Sequence, residues 1–168
     1  MTYADKTFDE RINDKMWNHS ESRFEGLWTG PYEKYGLGEG SVDMATWKFP
    51  PFISHTPDYR AAFTPTSTPF LVEVQGTGTK AKIRTHKFKQ KKLEALGKWN
   101  AISEVALWLW DDKTDSAILT SYISIRQMIQ RGLAEQGTFD GKRPYWAIPV
   151  QTVWDNRDTD RLVSKYSD

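Results

Sequence analysis

The sequence predicts an α/β fold, and three observations indicate this class. Residues 70–75 and 104–110 are two short runs of mainly apolar side chains, which are typical of strands inside a sheet. Residues 85–99 place Phe88 and Leu93 on an apolar stripe, and this spacing favours a helix with one buried face. Strands and helices therefore alternate along the chain, as expected when helices pack on the faces of a sheet.

The first half of the chain predicts one helix followed by three strands. Ser20 or Ser22 could cap a helix that continues through Phe24 and Trp28. The hairpin between the last two strands is expected at a polar connection rich in Pro, Ser and Thr. The strands are predicted at 42–49, 58–63 and 70–75, and the connection at 64–69.

The second half predicts a helix, a central strand and three further elements. These are a helix at 85–99, a strand at 104–110, a strand at 117–123, a helix from Ser124 to Gly137 and a strand-like run at 145–153. Residues 1–20 are expected to form a loosely ordered arm or a short helix, and residues 155–168 a polar tail. A chain of 168 residues is most simply one domain, so we expect residues 1–168 to share one core.

Composition excludes several classes of protein. The chain has no cysteine, which rules out disulfides, cysteine nucleophiles and cysteine-bound zinc. No apolar run approaches the roughly 20 residues that a membrane-spanning helix requires. The polar N-terminus lacks the apolar segment of a secretory signal, so we expect an intracellular, cytoplasmic protein with no membrane partner.

Two acidic residues lie where neighbouring strands are predicted to meet. Asp58 follows Pro57 at the start of one strand, and Glu73 lies inside the apolar run of the next. A carboxylate in such a run is costly to bury unless a partner compensates its desolvation. Adjacent strands would bring Asp58 and Glu73 together, with the amide of Gln75 on the same strand face as Glu73. Such oxygen-rich groups are typical ligands of a hard divalent cation such as Mg²⁺.

The pattern of Pro57 and Asp58, a spacer, and then Glu73 and Gln75 resembles the PD-(D/E)XK nuclease superfamily. The resemblance covers about residues 20–130 and includes the order helix, three strands, helix, strand. It implies a restriction-endonuclease-like αβββαβ core, with a mixed central sheet flanked by helices. It also implies a metal-dependent endonuclease that hydrolyses DNA phosphodiester bonds.

The resemblance assigns metal ligands to this sequence. Asp58 and Glu73 would bind one or two Mg²⁺ ions, for which Mn²⁺ could substitute, and the main-chain carbonyl of Val74 would be a further ligand. The stretch that ends at Glu25 looks like the acidic motif of the first helix in this superfamily. Glu25 would then complete the metal site, with Glu21 and Glu33 as substitutes. The alternative is that Glu25 is an ordinary exposed or capping glutamate.

The residue two positions after Glu73 departs from the superfamily pattern. Most members have a lysine there, whereas this chain has Gln75, which can position a water or a phosphate but carries no charge. The resemblance therefore leaves the lysine role open. We expect Lys82 to fill it, with Lys80 and Lys87 as alternatives.

A strongly basic segment follows the acidic pair and predicts contact with phosphates. Eight cations stand between residues 80 and 98, against the single acid Glu94. A solvated helix face is the simpler explanation, but this density favours contact with the DNA backbone, which carries no sequence information. The predicted nucleic-acid-binding residues are Lys80, Lys82, Arg84, Lys87, Lys89, Lys91 and Lys92.

Several functions remain open on the sequence alone. A resolvase of branched DNA or Holliday junctions, a transposase-partner endonuclease and a repair or processing nuclease all fit a small phage or mobile-element enzyme. A resolvase would favour a homodimer. The rival class is a nucleic-acid-binding protein without catalysis, in which Gln75 marks a lost active site. A third class is a structural protein that uses some of its 8 tryptophans as an interaction surface.

Overall fold

The computed structural model of the protein describes residues 16–35, 55–78 and 81–167. The fold is mixed α/β, which confirms the predicted class. Its strands are β1 (Tyr32–Lys34), β2 (Tyr59–Ala61), β3 (Phe70–Thr77), β4 (Thr85–Lys89), β5 (Val105–Asp111), β6 (Ser116–Ser121), β7 (Glu135–Phe139) and β8 (Arg143–Pro149). Its helices are α1 (Met16–Leu27), α2 (Gln90–Asn100), α3 (Tyr122–Gln130), α4 (Val150–Asn156) and α5 (Thr159–Tyr166).

The strands form two sheets. The central sheet has the order β1-β2-β3-β5-β6, and the second sheet has the order β4-β8-β7. Strands β1, β2 and β3 form an antiparallel meander, whereas β3 and β5 are parallel. A parallel pair needs a crossover connection, and β4 and α2 supply it. The predicted mixed central sheet flanked by helices is therefore confirmed.

Alternation along β3 divides the core into two layers. Leu71 faces a cluster that includes Phe88 and Leu93, on the side of β4 and α2. Val72 faces the opposite cluster, which includes Phe24 of α1. Glu73 shares the strand face of Leu71 because side chains alternate with a period of two. The sequence therefore places a carboxylate in the layer between the central sheet and α2.

The basic stretch after β3 differs from the predicted helix at 85–99. Residues 85–89 form strand β4, in which His86 and Phe88 are buried while Lys87 and Lys89 are exposed. The helix begins only at Gln90. Pairing with β8 explains the difference, because a distant strand provides hydrogen bonds that local spacing could not reveal.

The boundaries of two later predictions were also wrong. Helix α3 is capped by Ser121, whose side chain accepts a hydrogen bond from the backbone N–H of Ser124. Gly137 does not close this helix but lies in β7, and the end of the run at 145–153 is helical from Val150. Residues 16–20 belong to α1, as the short-helix alternative predicted, so the helix begins before both predicted caps, Ser20 and Ser22. Residues 1–15 and the predicted strand at 42–49 lie outside the described residues.

The C-terminal segment, expected to be a polar tail, contains a helix that packs on the central sheet. Leu162 of α5 is fully buried in the cluster of Phe24 and Phe70. Just before β5, the largely buried carboxylate of Glu104 accepts hydrogen bonds from Arg161, Lys165 and Tyr166. Within the described parts of the chain, every helix is too short or too polar to span a lipid bilayer.

Leu162→Ala tests whether α5 is part of the core. Because Leu162 is fully buried, we expect the substitution to lower the free energy of unfolding by about 2–5 kcal/mol, measured by urea denaturation. The neighbouring Val163 is 41% exposed, so Val163→Ala should change it by less than about 0.5 kcal/mol. Equal effects of the two substitutions would contradict this packing of α5.

Candidate active site

The register of β2 and β3 brings the two predicted acids together. Tyr59 lies opposite Val72, so Asp58 reaches the level of Glu73 just before β2 begins. The carboxylate of Asp58 accepts a hydrogen bond of 2.8 Å from the backbone N–H of Val74. The charge of Asp58 also raises the pKa of Glu73, which requires the two carboxyl groups to be close.

Glu73 is the most unusual ionisable group of this site. It is only 2% exposed, and its Oε1 forms an ion pair with the ammonium group of Lys92. Its Oε2 is buried and has no hydrogen-bond partner among the described residues. Burial and, to a smaller extent, the charge of Asp58 raise the pKa of Glu73 to about 8, against the opposing effect of Lys92. Such an uncompensated buried oxygen is costly for a fold and useful to a bound cation.

Asp58 and Lys92 respond to the same surroundings as Glu73. Burial raises the pKa of Asp58, against the opposing effects of Lys92 and the Val74 N–H. Burial alone would lower the pKa of Lys92, but the charges of Glu73 and Asp58 outweigh it and raise that pKa. Lys92 therefore stays cationic, while two carboxyl groups compete for one ammonium group.

The first-helix acid that faces this site is Glu21 rather than Glu25. Burial raises the pKa of Glu21, and the charge of Asp58 raises it further. Glu25 instead accepts a hydrogen bond of 2.7 Å from the hydroxyl of Tyr59, and Lys34 lies 3.8 Å from it. The structure therefore favours the alternative in which Glu25 is an ordinary glutamate outside the metal site. Its hydrogen bond with Tyr59 gives it a packing role.

Glu33, the other substitute considered, does not join the acids. It lies on the exposed edge strand β1 and pairs with Arg60 across to β2, at 3.1 Å. Lys34 of the same strand acts electrostatically on both Glu21 and Asp58. The position of Lys34 could not be predicted from the sequence, because no strand was expected at residues 32–34.

The carbonyl of Val74 has the orientation that a further ligand requires. The N–H and C=O of a strand residue point to the same side, and the Val74 N–H points to Asp58. The pairing of β2 with β3 ends at Tyr59 and Val72. The Val74 carbonyl therefore faces the acidic side, beyond the last residue pair of that ladder.

Gln75 lies beside the acids and is held by β4. Its side-chain amide donates a hydrogen bond of 2.9 Å to the backbone carbonyl of Lys87. Glu73, Gln75, Lys89 and Lys92 line one cleft with Phe88, Leu93, Leu96 and Leu107. The amide thus ties the central sheet to the second sheet at the cleft.

The lysine predicted for the site is not the one that reaches it. Lys82 lies exposed in the loop between β3 and β4, and the cation bound to Glu73 is Lys92. Lys80 lies outside the described residues, and Lys87 reaches the site only through its backbone. The sequence contained a pattern that could have identified Lys92, because Lys92, Leu96 and Trp99 lie on the same face of α2.

Arg84, a predicted phosphate ligand, is engaged in an ion pair within the fold. Its guanidinium forms an ion pair with the buried carboxylate of Asp111 at the end of β5. An arginine held in such a pair fixes the loop after β3 to the central sheet. The predicted contacts Lys87, Lys89 and Lys91 remain exposed, whereas Lys92 is largely enclosed with Glu73.

The residues present fit a hard divalent cation. No group of three or more acidic or histidine side chains in the described ranges is close enough to chelate a metal. Mg²⁺, however, is usually bound by one or two carboxylates and keeps several waters. Asp58, Glu73 and the Val74 carbonyl provide that set, and the orphan oxygen of Glu73 would gain a partner.

No family model matches the sequence, and no curated protein matches it either. Among solved structures, the fold is similar to that of a nuclease from a fusselovirus, with a TM-score of 0.45 and 15% sequence identity. The similarity covers 88% of this chain and 86% of the viral chain. At this level of similarity, the likeness does not say which residues act in this chain.

The raised pKa of Glu73 predicts how stability depends on pH without metal. Between the ordinary value of 4.5 and about 8, the folded state holds a proton that the unfolded chain has released. The free energy of unfolding should therefore fall as pH rises through this window. Glu73→Gln removes the titration, so the wild-type protein should lose stability relative to the variant between these pH values. Urea denaturation in EDTA measures both, and parallel curves would contradict the shift.

Proposed function

We propose that this protein is a metal-dependent nuclease of the PD-(D/E)XK type that hydrolyses DNA phosphodiester bonds. The observation that carries the proposal is the buried carboxylate of Glu73, which lies beside Asp58 and has one oxygen without a hydrogen bond. A buried carboxylate with an unpaired oxygen does not stabilise a fold, so a role in binding a cation better explains why Glu73 is there.

Each residue has a role in this proposal. Asp58, Glu73 and the Val74 carbonyl would bind Mg²⁺, or Mn²⁺ in its place, and Glu21 would hold a coordinated water. The bound cation supplies Lewis-acid chemistry, which activates a water molecule and neutralises charge on the scissile phosphate. Gln75 would orient the water or the phosphate through its amide.

Lys92 would take the role of the lysine that is absent after Glu73. Its ammonium group reaches Glu73 from α2, and the two carboxylates keep it protonated. Once a metal binds the carboxylates, Lys92 can stabilise negative charge on the reacting phosphate. In this proposal the positive charge comes from Lys92 on α2 instead of from position 75, so the presence of Gln75 does not imply that the active site is lost.

The exposed lysines beside the cleft would position the substrate. Lys87, Lys89 and Lys91 present charge on β4 and at the start of α2, and they would contact DNA phosphates without reading sequence. A resolvase of branched DNA, acting as a homodimer, and a processing nuclease of a phage or mobile element are two forms of this activity. Cutting of a four-way junction at symmetric positions would favour the resolvase.

Cleavage of supercoiled plasmid tests the metal site. We expect nicking in Mg²⁺ or Mn²⁺ but not in EDTA, and a rate at least about 100-fold lower for Asp58→Asn, Glu73→Gln and Lys92→Met. Agarose gels give the rates, and thermal melts check that each variant is folded.

Two other lysine variants test whether the loss of cleavage is specific to Lys92. Lys98 lies on the same helix but does not line the cleft, so Lys98→Met should nick plasmid at the wild-type rate. Lys82→Met should also remain active, in contrast to the prediction from sequence. Salt-sensitive DNA binding without cleavage in either metal would refute the enzyme and establish the non-catalytic binding protein.

A second experiment distinguishes the two acids of α1. Because Glu21 interacts with Asp58 whereas Glu25 bonds to Tyr59, we expect Glu21→Gln to slow nicking by about 10- to 100-fold, a range typical of groups that orient metal ligands. Glu25→Gln should keep the rate and lower the melting temperature. The reverse result would restore Glu25 as the member of the metal site.

A further inference from the structure

The second sheet has an exterior face that combines aromatic rings with cations. Strand β4 buries His86 and Phe88 and exposes Lys87 and Lys89. In register, Tyr145 of β8 lies between Lys89 on one side and Gly137 on the other. Side chains at directly paired positions share a face, so Tyr145 stands on the outer side with Lys89.

The ring of Tyr145 lies against the neighbouring strand β7. A Cβ atom added to Gly137 would come within 2.4 Å of this ring, which shows that the ring covers the Gly137 backbone. Phe139 packs beside it, with ring centroids 4.5 Å apart. Glycine at this position therefore allows two half-buried aromatic rings, inclined by 48° to each other, to pack on the outer face of the sheet.

Two cations adjoin these rings. The ammonium group of Lys87 is 5.0 Å from the centre of the Tyr145 ring and 5.8 Å from that of Phe139. The guanidinium of Arg143 is 5.9 Å from the Phe139 ring and also pairs with the exposed Asp140. We call Lys87, Lys89, Phe139, Arg143 and Tyr145 the aromatic platform.

We propose that the aromatic platform binds unpaired nucleotides of single-stranded DNA. Rings on a sheet surface can stack on bases, and adjacent lysines and arginines can neutralise the phosphates between them. Bases of a duplex stack on each other and offer no free face to a protein ring. The platform therefore distinguishes single strands from duplex, which the lysines alone would not do.

The platform is continuous with the candidate active site. Gln75 of the cleft donates a hydrogen bond to the backbone of Lys87, and Lys89 lines the cleft with Glu73 and Lys92. If a base of a DNA strand stacked on Tyr145, Lys87 and Lys89 would contact the DNA backbone in the direction of Asp58 and Glu73. This step rests on the proposed nuclease function, whereas binding to the platform does not.

Fluorescence anisotropy in EDTA tests the platform without cleavage. The probes are a labelled 20-nucleotide oligo(dT) and a labelled mixed-sequence 20-base-pair duplex. We expect Tyr145→Leu and Phe139→Ala each to weaken single-strand binding at least about fivefold and to leave duplex binding unchanged. Lys87→Ala should weaken binding to both probes and lower the single-strand salt slope by about 0.7.

Two further variants serve as controls. Trp154 has an exposed ring on α4, and the guanidinium of Arg157 lies 3.7 Å from the centre of that ring. Trp154→Ala should leave single-strand affinity unchanged, and Tyr145→Phe should retain it because the ring remains. Far-UV circular dichroism checks that the second sheet is intact in every variant.

The outcomes separate this inference from the nuclease. Unchanged affinity in Tyr145→Leu and Phe139→Ala, an equal loss on duplex, or an equal loss in Trp154→Ala would each overturn the platform. Metal-dependent nicking of plasmid by wild-type protein would stand in all three cases. Conversely, selective single-strand binding by a protein that nicks nothing would retain the platform and remove the nuclease.

Discussion

The buried carboxylate of Glu73 is the constraint on which the site depends. Its strand position places it in the layer between the central sheet and α2, where an ionised group is tolerated only with a partner. Lys92 provides that partner for one oxygen and leaves the other without a hydrogen bond. Because one ammonium group cannot balance two ionised carboxylates, Glu73 beside Asp58 keeps a proton up to about pH 8. A divalent cation would replace that proton and stabilise both carboxylates in the ionised form.

The surrounding fold holds this unfavourable arrangement in place. Asp58 is fixed by the Val74 N–H, and Gln75 is tied to the backbone of Lys87. The parallel pair β3 and β5 gives Glu73 a rigid strand, and α2 brings Lys92 across it. Packing on both faces of the central sheet thus supplies the stability that the acidic site itself lowers.

The two faces of the second sheet have different roles. Its inner face contributes Phe88 and Ile148 to the core, while its outer face carries the aromatic platform. The same strand, β4, therefore stabilises the domain with alternate residues and presents cations with the others. A nuclease that combines a metal site with such a platform would be suited to junctions between duplex and unpaired DNA.

The sequence by itself determined the α/β class, the pairing of Asp58 with Glu73 and the basic character of residues 80–98, because alternation and hairpin connection are local properties. Tertiary structure decided which helix acid and which lysine interact with the two acids, since the charge of Asp58 acts on Glu21 and Lys92 pairs with Glu73 from a separate element. It also turned residues 85–89 into a strand through pairing with β8, and residues 159–166 into a packed helix. Contacts between residues distant in sequence decided these features, and no local pattern specifies them.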